Sequence, residues 1–210
     1  MAAGAVLVTA FEPFGGATVN ASWEAARRID GLRCGEAVAI ARLLPCAYDA
    51  CVAELALMVE ALRPGAVVMT GEAARRDVVC IERLARSRTH ATALDNRGRL
   101  GSAAIGGPDV VETTAPTSAL VRAIQAAGIA ARVSADAGEY VCNHLYYHAL
   151  MRFAAAPRPI PAVFVHLPAV PGQRAGGHRP RGLETTDAAR ALRAAVDVMA
   201  AQPRLKRDGG

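Results

Sequence analysis

The chain has 210 residues, 52% hydrophobic and 20% charged, enough apolar content to bury a substantial core without disulfides or metals. Its formal net charge of +5 rests on scattered arginines, with Lys206 the only lysine and Arg204–Arg207 the only locally basic stretch, so nothing marks a nucleic-acid footprint. The Met1–Ala10 segment lacks the basic start of a secretory signal, no apolar run reaches membrane-spanning length, and five cysteines (Cys34, Cys46, Cys51, Cys80, Cys142) without a CxxC pair fit reduced thiols in a cytoplasm; they argue against a disulfide framework or a zinc site.

In chain order, Val6–Thr9 reads as a first strand that runs into the loop Phe11-Glu12-Pro13-Phe14-Gly15-Gly16. Asn20 or Ser22 would cap a helix reaching about Ile29. Val38–Leu44 predicts a second strand, stopped by Pro45. From Tyr48 to Leu62, Val52, Leu55, Met58, Val59 and Leu62 recur at helical spacing until Pro64-Gly65 ends the pattern. Ala66–Thr70 is apolar throughout, as expected of a strand buried on both faces of a parallel sheet. Asp77 to Leu94 predicts one weakly defined strand, and 95–108 a long irregular loop of the kind that can act as a lid.

Ser118–Ala127 predicts a helix closed by Gly128, and Ala131–Ser134 a short strand leading into Tyr140-Val141-Cys142-Asn143-His144. The following helix carries Leu145, Tyr146, Ala149, Leu150 and Phe153. Pro161–Pro168 is a strand with His166 at its carboxyl end, Arg174–Arg181 a Gly/Arg/Pro loop, and Thr185 or Thr186 would cap a final helix through Met199. Strands alternating with helices imply a three-layer α/β/α sandwich around a central, mostly parallel twisted sheet: one domain over 1–202, with 203–210 as a flexible tail.

Ligands of such sheets bind outside the carboxyl ends of the strands, where Phe11, Phe14, Glu72, the Cys142 turn and His166 fall. A thiol at a helix N-terminus feels the positive end of the helix dipole, and a thiol, an imidazole and a carboxylate from separate elements can serve as nucleophile, base and orienter. Taken alone, Cys142 reads more readily as a buried core cysteine, His166 as a core histidine, and a carboxylate such as Glu82 as a solvated surface group. His144 and His148 read as helix-face residues.

Four motifs in order then carry a resemblance: Val8-Thr9-Ala10-Phe11-Glu12-Pro13-Phe14-Gly15-Gly16 with Asn20; Gly71-x-Ala73 with Arg76 and Glu82-Arg83; Tyr140-Val141-Cys142-Asn143-His144; and Val165-His166-Leu167-Pro168 with Pro171 and Gln173. The chain resembles the pyroglutamyl peptidases, cysteine exopeptidases that remove an N-terminal pyroglutamate (5-oxoproline). The resemblance implies Cys142 as nucleophile, His166 as base and Glu82 as the acidic member of a triad that forms an acyl-enzyme. It implies a substrate pocket with Phe11 and Phe14 flanking the lactam, Asn20 following, Tyr140 and Val141 lining it, and Cys46 and Glu72 as further lining residues. It also implies a peptide or small amide substrate, no cofactor or metal, and assembly as a homodimer or homotetramer.

Several positions depart from the family pattern: Glu72 stands where glutamine is usual, Ala74 and Arg75 where two glycines are, Cys46 for threonine, Tyr140 for phenylalanine, Ser87 for asparagine, and Thr92 for an arginine. A carboxylate can only accept, so a substrate carbonyl facing Glu72 would lose a hydrogen bond, and the missing arginine would matter unless Arg75, Arg76 or Arg88 reaches the same volume. Beside a slow pyroglutamyl peptidase stand two other readings: a thiol amidase acting on another small acyl group, and a binding homologue without turnover.

Overall fold

A computed structural model describes residues 4–89, 94–102, 105–173 and 182–202. Thr92, the 174–181 loop and the 203–210 tail lie outside the described residues.

The elements in chain order are β1 (Gly4–Phe11), α1 (Ala21–Ala26), β2 (Arg33–Cys34), β3 (Ala37–Leu44), α2 (Tyr48–Leu62), β4 (Ala66–Glu72), β5 (Val79–Glu82), β6 (Leu84–Arg86), β7 (Val110–Glu112), α3 (Thr117–Ala126), β8 (Ala131–Ser134), α4 (Val141–Ala155), β9 (Ala162–Leu167) and α5 (Thr185–Ala200). Seven strands form the central sheet in the order β2-β3-β1-β4-β9-β5-β8, and β6 and β7 form a separate ribbon. The pairings β1–β3, β1–β4, β4–β9 and β5–β8 are parallel, whereas β2–β3 and β5–β9 are antiparallel. The mostly parallel sheet is as the sequence predicts.

Two apolar layers clamp it. On one face Val6, Val8 and Ala10 of β1 meet Ala25 of α1, Leu120 and Ile124 of α3 and Leu192, Val196 and Met199 of α5. On the other, Leu7 and Phe11 meet Leu55 of α2 and Leu145, Tyr146 and Phe153 of α4. Alternate residues of one strand therefore feed opposite cores, which is why β4 is buried along its whole length.

Some boundaries differ from expectation. Among the described residues of the Asp77–Leu94 stretch, two strands lie in two sheets: β5 is wholly buried, then Arg83, bonded through its N–H to the Ser134 carbonyl and through its carbonyl to the Thr113 N–H, turns the chain into the ribbon. Asn20 caps α1, its carboxamide oxygen accepting from the Ser22 N–H, but the helix ends at Ala26, well before Ile29. The N-cap of α5 is Glu184, without a side-chain cap bond, and Thr185 is already helical. The described part of the 95–108 segment is tied down: Asp95 accepts from the N–H groups of Tyr48, Arg97 and Arg99, and the Tyr147 hydroxyl sits between the carbonyls of Gly106 (2.7 Å) and Pro108 (2.8 Å), sharing its one proton.

Candidate active site

Cys142 is the second residue of α4. Its helix starts after Tyr140, whose extended backbone supplies the N-cap without a side-chain bond, so the first-turn N–H groups have no intrahelical acceptor. The helix is held in place by Asn143, fully buried, which accepts from the Arg86 N–H (2.9 Å) and donates to the carbonyls of Arg86 (2.9 Å) and Arg88 (2.8 Å). This seats the Cys142 thiol against β4. A Cβ on Gly71 would fall 2.9 Å from the Cys142 Sγ and 3.0 Å from the Phe164 ring, so only glycine lets sulfur and ring approach so closely. Gly71 is the register partner of His166 on β9, which brings the thiol onto the strand next to the imidazole's.

His166 is 4% exposed, its ring packed on Phe164 with centroids 4.7 Å apart. Its Nδ1 lies 2.8 Å from Glu82 Oε1. An ionised carboxylate only accepts, so this contact places the ring proton on Nδ1 and leaves Nε2 with its lone pair. Glu82 is fully buried, and its charge is matched by Arg76, whose Nη1 donates to the same Oε1 at 2.5 Å while Nη2 donates to the Asp136 carbonyl, also at 2.5 Å. The other carboxylate oxygen, Oε2, is buried without a partner among the described residues. Arg76 thus ties β5 to the loop that leads into α4.

The electrostatics disfavour a standing thiolate–imidazolium pair. Burial pushes the Cys142 thiol well above its ordinary value, with Cys46, Cys51 and Glu82 adding and Arg76 opposing. Burial likewise lowers His166, against the bond from Glu82 that raises it. Both directions favour the uncharged thiol and the uncharged imidazole.

An open cleft of about 370 Å³ is lined by Phe14, Glu72, Ala73, Ala74, Arg75, Arg76, Ala137, Gly138 and His166. Phe14 packs against Tyr140 (5.9 Å between centroids), and Tyr140 edges onto Tyr48. The two phenylalanines separate: Phe11 is 2% exposed in the core, stacked on Phe164, while Phe14 is the one at the cleft. Val141 is buried. Cys46 is buried beside Tyr140, its N–H donating to Glu12 Oε1 at 3.0 Å, and burial pushes its thiol up to about 12. Asn20 donates to the Glu12 carbonyl at 3.0 Å as well as capping α1.

Glu72, 7% exposed, has both oxygens occupied: Oε2 accepts from the Ala21 N–H at 2.7 Å and Oε1 from Gln173 Nε2 at 2.8 Å. Burial raises its pKa, against these two donors. Of the arginines expected to substitute at Thr92's place, Arg76 is committed to Glu82, Arg88 pairs with Glu139 at 2.8 Å, and Arg75 is an exposed residue of the cleft wall. The roles of Arg76 toward Glu82 and of Asn143 toward the ribbon are not legible from spacing. Their only signal is that each lies within a motif.

The sequence profile of the pyroglutamyl peptidase family matches residues 4–202. A pyrrolidone-carboxylate peptidase of Chromobacterium violaceum is 40% identical over 98% of this chain and 97% of its own length, and one of Cupriavidus necator 39% identical over 91% and 90%. Among solved structures, pyroglutamyl peptidase I of Bacillus amyloliquefaciens superposes with a TM-score of 0.89 at 33% identity, covering 95% of this chain and 98% of that one. The pyrrolidone carboxyl peptidase of Thermococcus litoralis superposes with a TM-score of 0.87 at 29% identity, covering 93% of each. With the profile spanning nearly the whole chain and relatives at this identity over nearly their whole length, the chain belongs to the pyroglutamyl peptidase family.

Proposed function

We propose that this protein is a cysteine exopeptidase that removes an N-terminal pyroglutamyl group from peptides, with Cys142, His166 and Glu82 as its triad. The observation that carries the reading is the seating of the Cys142 thiol on Gly71, beside a His166 whose Nδ1 is held by a buried, arginine-paired Glu82. As Sγ attacks the carbonyl carbon joining pyroglutamate to the next residue, its proton passes to His166 Nε2. The developing oxyanion is met by the free N–H groups of the first turn of α4. His166 then protonates the leaving amine, the C–N bond breaks, and the acyl group remains as a thioester. Water, deprotonated by His166, hydrolyses it and returns the thiol. Because burial disfavours both charges at rest, His166 acts as a base during attack.

The wall formed by Phe14 and Tyr140 supplies flat apolar surface for a small lactam, with Phe11, Asn20, Cys46, Val141 and Glu72 supporting its shape. The same reading takes residues 1–202 as one peptidase domain, working in the cytoplasm as a dimer or tetramer; family resemblance supports it. Among the described residues no helix is long and apolar enough to cross a membrane. The test is hydrolysis of a pyroglutamyl fluorogenic amide by wild type and Cys142→Ala. Turnover by the wild type alone supports the reading, and equal background rates sink it.

A further inference from the structure

Glu72 belongs to the cleft wall, yet its carboxylate is turned onto the protein itself. Oε2 takes the N–H of Ala21, the first residue of α1, and Oε1 takes the side-chain amide of Gln173. Gln173 in turn accepts from the Val170 N–H at 3.3 Å and lies 3.5 Å from the Val19 carbonyl. Three segments meet on this one side chain: the end of β4 that carries Gly71, the start of α1 where the Phe14 loop ends, and the loop that follows His166. The opposite end of the Phe14 loop is fastened separately, since Asn96 Nδ2 donates at 2.8 Å both to Glu12 Oε1 and to the Pro13 carbonyl. Glu72 and Asn96 thus bracket Phe14 from its two sides.

Charge is what suits this residue to the junction. Both of its partners are uncharged N–H donors converging on one side chain, and a carboxylate accepts on both oxygens. A glutamine there could accept from Ala21 but would turn an NH2 toward the NH2 of Gln173. Relieving that clash by rotating the Gln173 amide would forfeit the bond from Val170.

We propose that Glu72 is a positioning residue for substrate binding: its carboxylate fixes the Phe14 wall relative to Gly71 and His166 and does not itself bind the acyl group. The proposal rests on reading the cleft as a pyroglutamyl site. It differs from the sequence-based reading, in which Glu72 lines the pocket and a substrate carbonyl facing it would lose a hydrogen bond.

The test uses Glu72→Ala, Glu72→Gln and the exchange variant Glu72→Gln with Gln173→Glu, assayed on a pyroglutamyl amide. The exchange keeps an acceptor for Ala21 and for Val170 and restores a donor–acceptor pair between positions 72 and 173. Glu72→Ala is expected to raise KM about tenfold, the usual scale for losing hydrogen bonds to a charged group, with kcat changed far less. Glu72→Gln should fall between, and the exchange variant should return KM to near the wild-type value. An unchanged KM in Glu72→Ala, a loss confined to kcat, or no recovery in the exchange variant overturns the proposal. Amide hydrogen exchange at Ala21 and along Phe14–Asn20, faster in Glu72→Ala and restored in the exchange variant, reads the same clamp without substrate. A wild type that fails to turn over therefore counts against the function alone, whereas unaltered exchange counts against the clamp.

Discussion

The two walls of the cleft are built from opposite kinds of polar contact. On the His166 wall, a fully buried carboxylate is matched by a guanidinium at 2.5 Å and an imidazole at 2.8 Å, all converging on one oxygen. On the Phe14 wall, a carboxylate nearly as buried is held by two neutral donors, with Phe14 lining the same cleft. Burial alone opposes either charge, so it is the partners that divide the labour. Glu82 is bound to the side chain that gains and loses a proton in the proposed mechanism, and Glu72 to backbone and amide groups that hold three segments together.

The comparison breaks most sharply at His166. His166→Ala is expected to lower kcat on a pyroglutamyl amide by about 10²–10⁴-fold, the range of a positioned acid–base group, with KM little changed. A large rise in KM without loss of kcat would place His166 on the binding wall. Arg76→Met strands the Glu82 charge. A buried pair broken on one side costs about 3–5 kcal/mol, so denaturant unfolding should show a loss near the lower end, because Arg76 is 18% exposed. Kinetically the loss should fall on kcat, with Arg76→Lys recovering part of it. Phe14→Ala attacks the other wall and should raise KM about tenfold while leaving kcat within a small factor, consistent with an aromatic contact of about 1 kcal/mol plus lost apolar burial.

Smaller effects sharpen the contrast through pH. In the proposed mechanism the active form of His166 is neutral, and burial holds its pKa below the usual 6.5, so kcat/KM should stay level down to that value and fall only as pH drops through a lower one. His144, on α4 behind the aromatic wall, has a buried Nδ1 without a partner, and burial first, then His148, brings it down to about 4. Between 6.5 and about 4 the unfolded chain binds the extra proton, so this histidine's share of stability is full above 6.5 and is lost as pH falls toward 4. His144→Gln should flatten the decline of melting temperature across that window without altering the decline of kcat/KM.

The main strands and helices were legible because their patterns are strong. A wholly apolar β4 and the helical spacing of α2 leave few alternatives. The split between β5 and β6 was not, because apolar residues run on through Val79, Ile81, Leu84 and Ala85, and only tertiary pairing of Arg83 reveals the change of sheet. In the site, the contact between Glu82 and His166 joins residues of β5 and β9, a pairing that spacing alone does not reveal. Phe11 and Phe14 sit three residues apart in one motif yet end in different environments, since β1 continues through Phe11 and ends before Phe14. The bonds made by Arg76 and Glu72 were not legible, because a motif places a charged group near the site without saying which buried partner it meets.

In the proposed reaction Cys142 becomes acylated by the pyroglutamyl group. Acid-quenched mass spectrometry during turnover of a pyroglutamyl ester or amide tests it directly. A pyroglutamyl thioester confined to the peptide containing Cys142, accumulating and decaying with turnover and absent from His166→Ala, is the predicted result. Turnover without any adduct at Cys142, or an adduct on Cys46 or another thiol in its place, would contradict the account.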